Sequence, residues 1–340
     1  MKSVVIHSKL DVRTDEVPTP EPAEGQVRLR MAYAGICGSD LHYYFDGAVG
    51  AFVVKEPLCP GHEVSGTVDV DPSGRFAVGT PVTVHPATFG QCQSGLEGHP
   101  HLWPQGAYLG SASTWPHTQG GASEYLLVRS DQVRVLPEGL DLRTAALAEP
   151  LGVGLHAIAV AQGVAGKRVL VSGSGPIGLL AAAGALAKGA AEVVCSDVID
   201  EALERATALG AHGVVNVARK APPTEHFDAV LECSGVVPAI NAAIGSLRRT
   251  GILVQVGMVP AGPQGIDLAS IISRELQLRG TFRFNTEIDE AVELLAGHPT
   301  MAQVITHVLP ADQAADAFAV ARDSKASGKV LLDLWNGSLG

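Results

Sequence analysis

Two constellations in this 340-residue sequence have residue types and spacing suited to chemistry. The first is Gly173-Ser174-Gly175-Pro176-Ile177-Gly178, a G-x-G-x-x-G run. In a chain with 39 glycines the pattern alone says little. Its context says more: it follows the β-type segment 167–171 and opens an Ala-rich helical pattern reaching about Lys188. Gly173 permits a tight turn, Gly175 lets the backbone approach a pyrophosphate, and Gly178 lets the helix pack closely on the strand. The free N–H groups at the helix start then face the anion. Asp197 falls at the end of the next β-type segment, where a carboxylate can bond both ribose hydroxyls and repel a 2′-phosphate. The alternative is that Asp197 only caps the helix after it. Asp200 and Glu201 follow, with no Lys or Arg before Arg205, which favours NAD over NADP.

The second constellation is Cys37, in Gly35-Ile36-Cys37-Gly38-Ser39-Asp40, with His62 and Glu63, in Pro60-Gly61-His62-Glu63. Thiolate, imidazole and carboxylate are the ligand set of a zinc site that keeps one position open. Other groupings compete at this level. Cys59 and His62 have C-x-x-H spacing, and Cys92, His99 and His101 form a second cluster.

The elements that must position these residues differ between the two halves of the chain. Up to about Glu149, short β-rich runs (27–33, 63–70, 81–85, 125–128 and 133–136) are punctuated by Gly and Pro, which predicts an all-β or mixed lobe. Residues 35–40 read as a Gly-punctuated turn, and 89–117 as a long loop of the kind that is functional or a relic. From Leu151 helical and strand patterns alternate, and the strands are nearly continuously apolar. That predicts a doubly wound parallel sheet, hence an α/β protein of about two domains. In the tail, 285–340, two helices alternate with two strands, and periodicity does not decide which domain they join.

Composition narrows the partners. Hydrophobic residues make up 46% and charged residues 17%, which is globular composition and excludes an overall disordered chain. The 24 Lys+Arg against 35 Asp+Glu leave a charge of −11, which argues against nucleic acid or an anionic membrane as the main partner. No signal segment is visible. The most apolar stretch, 177–187, is about half of the ~20 residues a membrane span requires. Five cysteines at 37, 59, 92, 195 and 233 make no disulfide framework, so a cytoplasmic location is expected.

Several segments together carry a resemblance: GICGSDLHYY (35–44), PGHEVSGTV (60–68), AEPLGVGLHA (148–157), SGSGPIG (172–178) and LRGTFRF (278–284). With them the chain resembles, over essentially its whole length, the zinc-dependent medium-chain dehydrogenase/reductase family. Within the family it is most similar to the sorbitol (polyol) dehydrogenase branch. Tyr43-Tyr44, the GTFRF segment and DSKASGKVLL (323–332) point, inside that branch, to the L-idonate 5-dehydrogenases.

The resemblance implies a GroES-like β-rich catalytic lobe (1–150, completed by the tail 285–340) and a Rossmann NAD-binding domain (151–284). It assigns Cys37, His62 and Glu63 to one catalytic zinc and makes Glu149 a carboxylate that binds the metal directly or through its water. Cys59 falls where the family has an ordinary apolar residue. Phe89, Cys92, Gly95 and Trp103 stand where many members have the four cysteines of a structural zinc, so a single zinc per chain is expected. Cofactor contacts are expected from Gly173, Gly175, Pro176, Ile177, Gly178 and Asp197, and from Val256, Gly257 and Phe282. Ser39 resembles the family's proton-relay hydroxyl, with Glu149 or zinc-bound water alongside, the alternative being a turn-stabilising serine, while His42 is either a relay or a packed loop residue. Tyr43 and Arg283 match substrate-binding positions, and the Arg283 guanidinium could pair with a sugar-acid carboxylate. Phe284 stands where some polyol enzymes have a tyrosine. The implied reaction is hydride transfer from a secondary alcohol to NAD, either L-idonate to 5-keto-D-gluconate or the oxidation of a sorbitol- or xylitol-type polyol. On the same likeness a homodimer or homotetramer is expected.

Overall fold

The structure, a computed structural model, describes residues 1–335 and divides into two compact units. The first comprises Met1–Glu149, Ile305–Asp323 and, among the described residues, 329–335. The second comprises Pro150–Val304 and Ser324–Gly328.

The first unit is built on a seven-stranded sheet. Its strands run in the order Val133–Val135, Pro81–Val84, Glu63–Val70, Gln26–Gly35, Lys329–Asp333 and Ile305–Pro310, with Tyr125–Arg129 also paired to Gln26–Gly35. Alternate residues of Gln26–Gly35 point into the core, where Val27, Leu29 and Met31 are fully buried with Val82, Val84, Phe318 and Leu332. Register does the assembling here. Gly35 pairs with Glu63 on one side and with Leu331 on the other, so three segments distant in sequence meet at one end of the sheet. A Cβ on Gly35 would lie 2.1 Å from Glu63 Oε2, so only glycine leaves room for that carboxylate. The chain does not simply turn after Gly35. It enters the helix Gly38–Phe45, because Asp40 Oδ2 accepts the Cys37 backbone N–H at 2.9 Å and satisfies an otherwise orphaned donor at the helix start.

The second unit is a six-stranded, all-parallel sheet. Its order is Gly213–Asn216, Glu192–Asp197, Arg168–Ser172, Phe227–Glu232, Leu247–Gln255 and Gln277–Gly280. Strand order therefore reverses at Arg168–Ser172, where a doubly wound sheet opens a crevice beyond the carboxyl ends of its strands. Val169, Leu170, Val171, Ala229, Val230 and Leu231 are all fully buried, as expected for strands covered on both faces.

The return of the tail to the first unit is expected at residue 285, whereas the structure has it at Ile305. The helix Glu287–Gly297 stays with the second unit because it buries Ile288, Ala291, Val292 and Leu295 there. Glu287 also bonds His156 at 2.7 Å, and Glu290 pairs with Lys188. The short segment Ser324–Gly328 rejoins the second unit as well, its Ser324 and Lys325 carbonyls accepting from the Arg205 guanidinium at 2.6 and 3.2 Å. Among the described residues, no helix is long and apolar enough to cross a membrane.

Candidate active site

The end of the first unit's sheet holds a buried cluster. Cys37 precedes the helix Gly38–Phe45, while His62 immediately precedes and Glu63 opens the strand Glu63–Val70. The Cys37 thiol, a His62 ring nitrogen and a Glu63 carboxylate oxygen all lie within 4.8 Å of one another. Glu149, in the first turn of the helix Ala148–Val160, joins the same electrostatic neighbourhood, and its Oε1 accepts from the Tyr108 hydroxyl at 2.6 Å. Lys329 is fully buried against Glu63. Its ammonium lies 2.6 Å from the carboxylate, donating to Oε1, and also donates to the Ile36 carbonyl at 3.1 Å.

Charge in this cluster is unbalanced. Asp40, Glu63, Glu149 and the Cys37 thiol are faced by His62 and Lys329. Burial alone would lower His62, but the Cys37 charge, a hydrogen bond to Cys37, and the charges of Glu149 and Asp40 outweigh it and push the imidazole up to about 10. Burial raises both Glu149 and Asp40. Lys329 rises because Glu63 and Cys37 outweigh its own burial. The His62 and Lys329 shifts report the negative charge around them, while those of Glu149 and Asp40 report the cost of burying carboxylates, which a cation held between them would offset. Asp40 Oδ1 is buried without a hydrogen bond, and Glu63 Oε2 has only the Lys329 ammonium, 2.6 Å away. One sulfur, one imidazole nitrogen and one carboxylate, with a second carboxylate alongside, therefore fit a zinc ion with an open position.

The competing cysteines have other surroundings. The Cys59 thiol is buried, donates to the Gly120 carbonyl and is pushed up to about 11 by burial, which is the behaviour of a packing residue. Burial pushes Cys195 up to about 12 and raises Cys233 as well. Cys92 is exposed in the segment 89–106, where the Phe89 and Trp103 rings stand edge-to-face with centroids 6.5 Å apart. Ser39 is half-buried in the first turn of its helix. Tyr43 is buried, and its hydroxyl accepts the Ala112 N–H at 3.1 Å. His42 is exposed and bonds Asp46 within its own helix at 2.8 Å, which makes it a surface residue.

The glycine run lies in the second unit. The strand Arg168–Ser172 ends at Gly173, whose φ of 91° lies in the left-handed region, and the helix Pro176–Ala187 begins with a proline, whose missing N–H costs nothing there. A Cβ on Gly178 would fall 1.8 Å from the Gly173 carbonyl oxygen. A cavity of about 610 Å³ opens beside this turn, lined by Gly173, Gly175, Asp197, Ile199 and Ser234 among others. Asp197 accepts the backbone N–H groups of Ser174 and Val198 at 2.7 Å and of Ile199 at 3.0 Å. It thus ties the glycine turn to the end of its own strand. Val256 and Gly257 follow the neighbouring strand Leu247–Gln255, and both of their N–H groups donate to the Glu232 carbonyl at 2.8 Å. Phe282 is exposed beyond the strand Gln277–Gly280. Arg283 adopts a left-handed φ of 52° with its guanidinium 4.8 Å from the Phe282 ring centre.

Four residues that hold these sites escaped the sequence reading: Tyr108, Lys329, Asp40 and Glu232. Glu232 is fully buried and accepts from Gly235 N–H at 2.9 Å, Ser234 N–H at 3.1 Å and the Gln255 amide at 2.6 Å, which fixes the loops at the carboxyl ends of two strands. Asp40 stands within a motif already singled out, so its three-residue spacing from Cys37 was a usable capping signal. Tyr108 and Lys329 act across 41 and 266 positions and leave no local pattern, while Glu232 holds mainly the loop that follows its own strand.

Comparison with known proteins agrees with this geometry. Residues 23–138 match the alcohol dehydrogenase GroES-like domain, and residues 176–297 match the zinc-binding dehydrogenase domain. The chain is 35% identical over 311 residues to an L-idonate 5-dehydrogenase (NAD(P)(+)) of Escherichia coli K12, covering 89% of this chain and 90% of that protein. It is 32% identical over 329 residues to a sorbitol dehydrogenase of Bacillus subtilis, covering 93% and 92%. The crystal structure of L-idonate 5-dehydrogenase from Escherichia coli K-12 superimposes with a TM-score of 0.92 at 33% identity, over 98% of this chain and 97% of that one. With a GroES-like β unit, a Rossmann-type parallel sheet and relatives matched over nearly their full length, the chain belongs to the zinc-binding medium-chain dehydrogenases.

Proposed function

We propose that the protein oxidises a secondary alcohol of a sugar acid with NAD, and that the reaction is L-idonate to 5-keto-D-gluconate. The observation that carries the chemistry is the buried meeting of Cys37, His62 and Glu63 within 4.8 Å, with Glu149 beside them. When bound, zinc supplies a Lewis acid for the alcohol oxygen, and NAD supplies a hydride acceptor.

The chain's own groups divide the remaining work. Cys37, His62 and Glu63 hold the ion, with Glu149 as a direct or indirect fourth partner. Ser39, half-buried two residues from Cys37, takes up the proton of the alcohol and hands it toward solvent. Tyr43 shapes the substrate side through the segment 111–113, which its hydroxyl holds by the Ala112 N–H. Arg283 receives the substrate carboxylate. Gly173, Gly175, Pro176, Ile177 and Gly178 cradle the pyrophosphate, Asp197 bonds the ribose hydroxyls, and Val256, Gly257 and Phe282 border the remainder of the cofactor.

Preference for NAD is supported by the engagement of nearby cations. Arg205 is committed to the Ser324 and Lys325 carbonyls and Arg219 to Asp200, while Asp197 would repel a 2′-phosphate. A single zinc is supported by the aromatic pair Phe89 and Trp103, at two positions where a structural site needs thiolates. Assembly as a homodimer or homotetramer is supported by the edge strand Gln277–Gly280 and by exposed Leu268, Ile272 and Leu278.

The second reading is a polyol substrate, favoured by the likeness to sorbitol dehydrogenases. Steady-state kinetics on L-idonate, sorbitol and xylitol, followed by NADH absorbance, separates the two. A higher kcat/KM on L-idonate is expected, and a higher value on sorbitol or xylitol would overturn the sugar-acid reading.

A further inference from the structure

We propose that Tyr108 is a positioning residue for Glu149, holding carboxylate oxygen Oε1 so that Oε2 alone is presented to the Cys37–His62–Glu63 cluster. This inference rests on the metal-binding reading of that cluster. The contact is short, 2.6 Å from the phenol to Oε1, and both residues are buried, so it is a charge-assisted bond shielded from water. The same ring stands edge-on to His62, with centroids 5.4 Å apart and planes inclined at 64°. One side chain therefore bears on two members of the cluster.

Its backbone is held independently of the cluster. Tyr108 ends the two-residue strand Ala107–Tyr108, paired antiparallel with Ala87–Thr88 so that Ala87 lies opposite Tyr108. The Gln132 amide donates to the His85 and Ala87 carbonyls at 3.0 and 3.3 Å, and Leu109 N–H donates to the Pro86 carbonyl at 3.1 Å. These two strands are the neck of the segment 89–106. The neck is tight, since a Cβ on Gly90 would meet the Pro104 carbonyl oxygen at 1.8 Å, and Phe89 packs edge-to-face on both His85 and Trp103. The segment that begins at Phe89 and Cys92 thus ends by delivering a phenol to the active-site carboxylate.

The chemical consequence follows from ligand counting. A carboxylate with two free oxygens can close on an ion through both and fill its open position, whereas one with an oxygen held by a donor reaches it through a single atom. Tyr108 thereby keeps a coordination position for the substrate hydroxyl.

The test uses the cobalt(II)-substituted full chain, whose visible absorption is intense for four-coordinate and weak for five-coordinate metal. Tyr108→Phe keeps the ring and removes only the donor. The expected result is one cobalt per chain and a thermal midpoint close to the parent's, with a weakened visible band and a kcat lowered roughly 10- to 100-fold, the loss expected of one charge-assisted bond. In a Glu149→Gln background the same change adds nothing further, because Tyr108 acts through that carboxylate. Tyr108→His, which retains a ring donor, keeps more of the parental band than Tyr108→Phe. A Tyr108→Phe protein with parental band and kcat would overturn the inference alone, as would an undiminished effect in the Glu149→Gln background. A parent that takes up no cobalt would overturn the metal reading and this inference with it.

Discussion

Lys329→Met removes the only lysine ammonium in the buried cluster while nearly conserving side-chain volume. Lys329 is 2% exposed and Glu63 is 0% exposed, with the charges 2.6 Å apart. At an effective dielectric near 20 their attraction is about 6 kcal/mol, a gross figure set against the desolvation of both ions. Deleting one partner leaves the other charge buried and unpaired, so the metal-free protein should lose about 3–5 kcal/mol. Bound zinc supplies positive charge to the same carboxylates, so the zinc-loaded variant should lose only about 1–2 kcal/mol. All three tryptophans (103, 115 and 335) lie in the first unit, so their fluorescence during urea unfolding reports that unit specifically. A double variant, Lys329→Met with Glu63→Gln, should recover most of the metal-free loss because no charge is then stranded. A metal-free loss below about 1 kcal/mol, or a larger loss with zinc than without it, would refute the reasoning.

Two further outcomes follow from the second unit. Asp197→Asn keeps the shape of the side chain and removes its charge, so the preference for NAD over NADP, read as a ratio of kcat/KM values, should fall roughly 10- to 100-fold. An unchanged ratio would mean that Asp197 serves only its backbone partners Ser174, Val198 and Ile199. Burial alone would raise Glu287, but the His156 hydrogen bond and charge and the Asn285 N–H outweigh it and bring the carboxyl down to about 2. A group depressed in the folded state stabilises above its ordinary value of 4.5, and that contribution is lost as pH falls through about 2. Glu287→Gln should therefore cost on the order of 2 kcal/mol at pH 7 and less than about 0.5 kcal/mol at pH 2, measured by far-ultraviolet circular dichroism of urea unfolding. Equal losses at both pH values would point to packing instead.

Much of the second unit was legible because its signals are local. Gly173, Gly175 and Gly178 sit within six residues, and the strands Arg168–Ser172 and Phe227–Glu232 have continuously apolar centres, 169–171 and 229–231, as a doubly covered sheet requires. The first unit was harder, because its function depends on register. Cys37, Glu63 and Lys329 meet only because Gln26–Gly35 pairs with Glu63–Val70 on one side and Lys329–Asp333 on the other. Lys329 reads in sequence as a polar residue before an apolar strand, and nothing nearby announces that a carboxylate 266 positions away will bury it. Tyr108 sits inside a Gly- and Pro-rich stretch with no periodicity, so its two-residue strand and its bond to Glu149 were invisible. The helix Gly38–Phe45 was passed over for a related reason: two glycines in 35–38 suggest a turn, and the Asp40 cap that starts the helix is a single side-chain contact. The end of the second unit was misjudged because the helix Glu287–Gly297 is amphipathic and carries no mark of which apolar surface it will cover.

In the proposed function, the Cys37, His62 and Glu63 cluster holds the one zinc on which hydride transfer depends. Zinc content and alcohol-dependent NADH formation measured on the same sample, for the parent and for Cys37→Ser, test it most directly. The expected result is about one zinc per chain in the parent, and loss of both the zinc and the activity in the variant. A Cys37→Ser protein that keeps its zinc and its rate would contradict it.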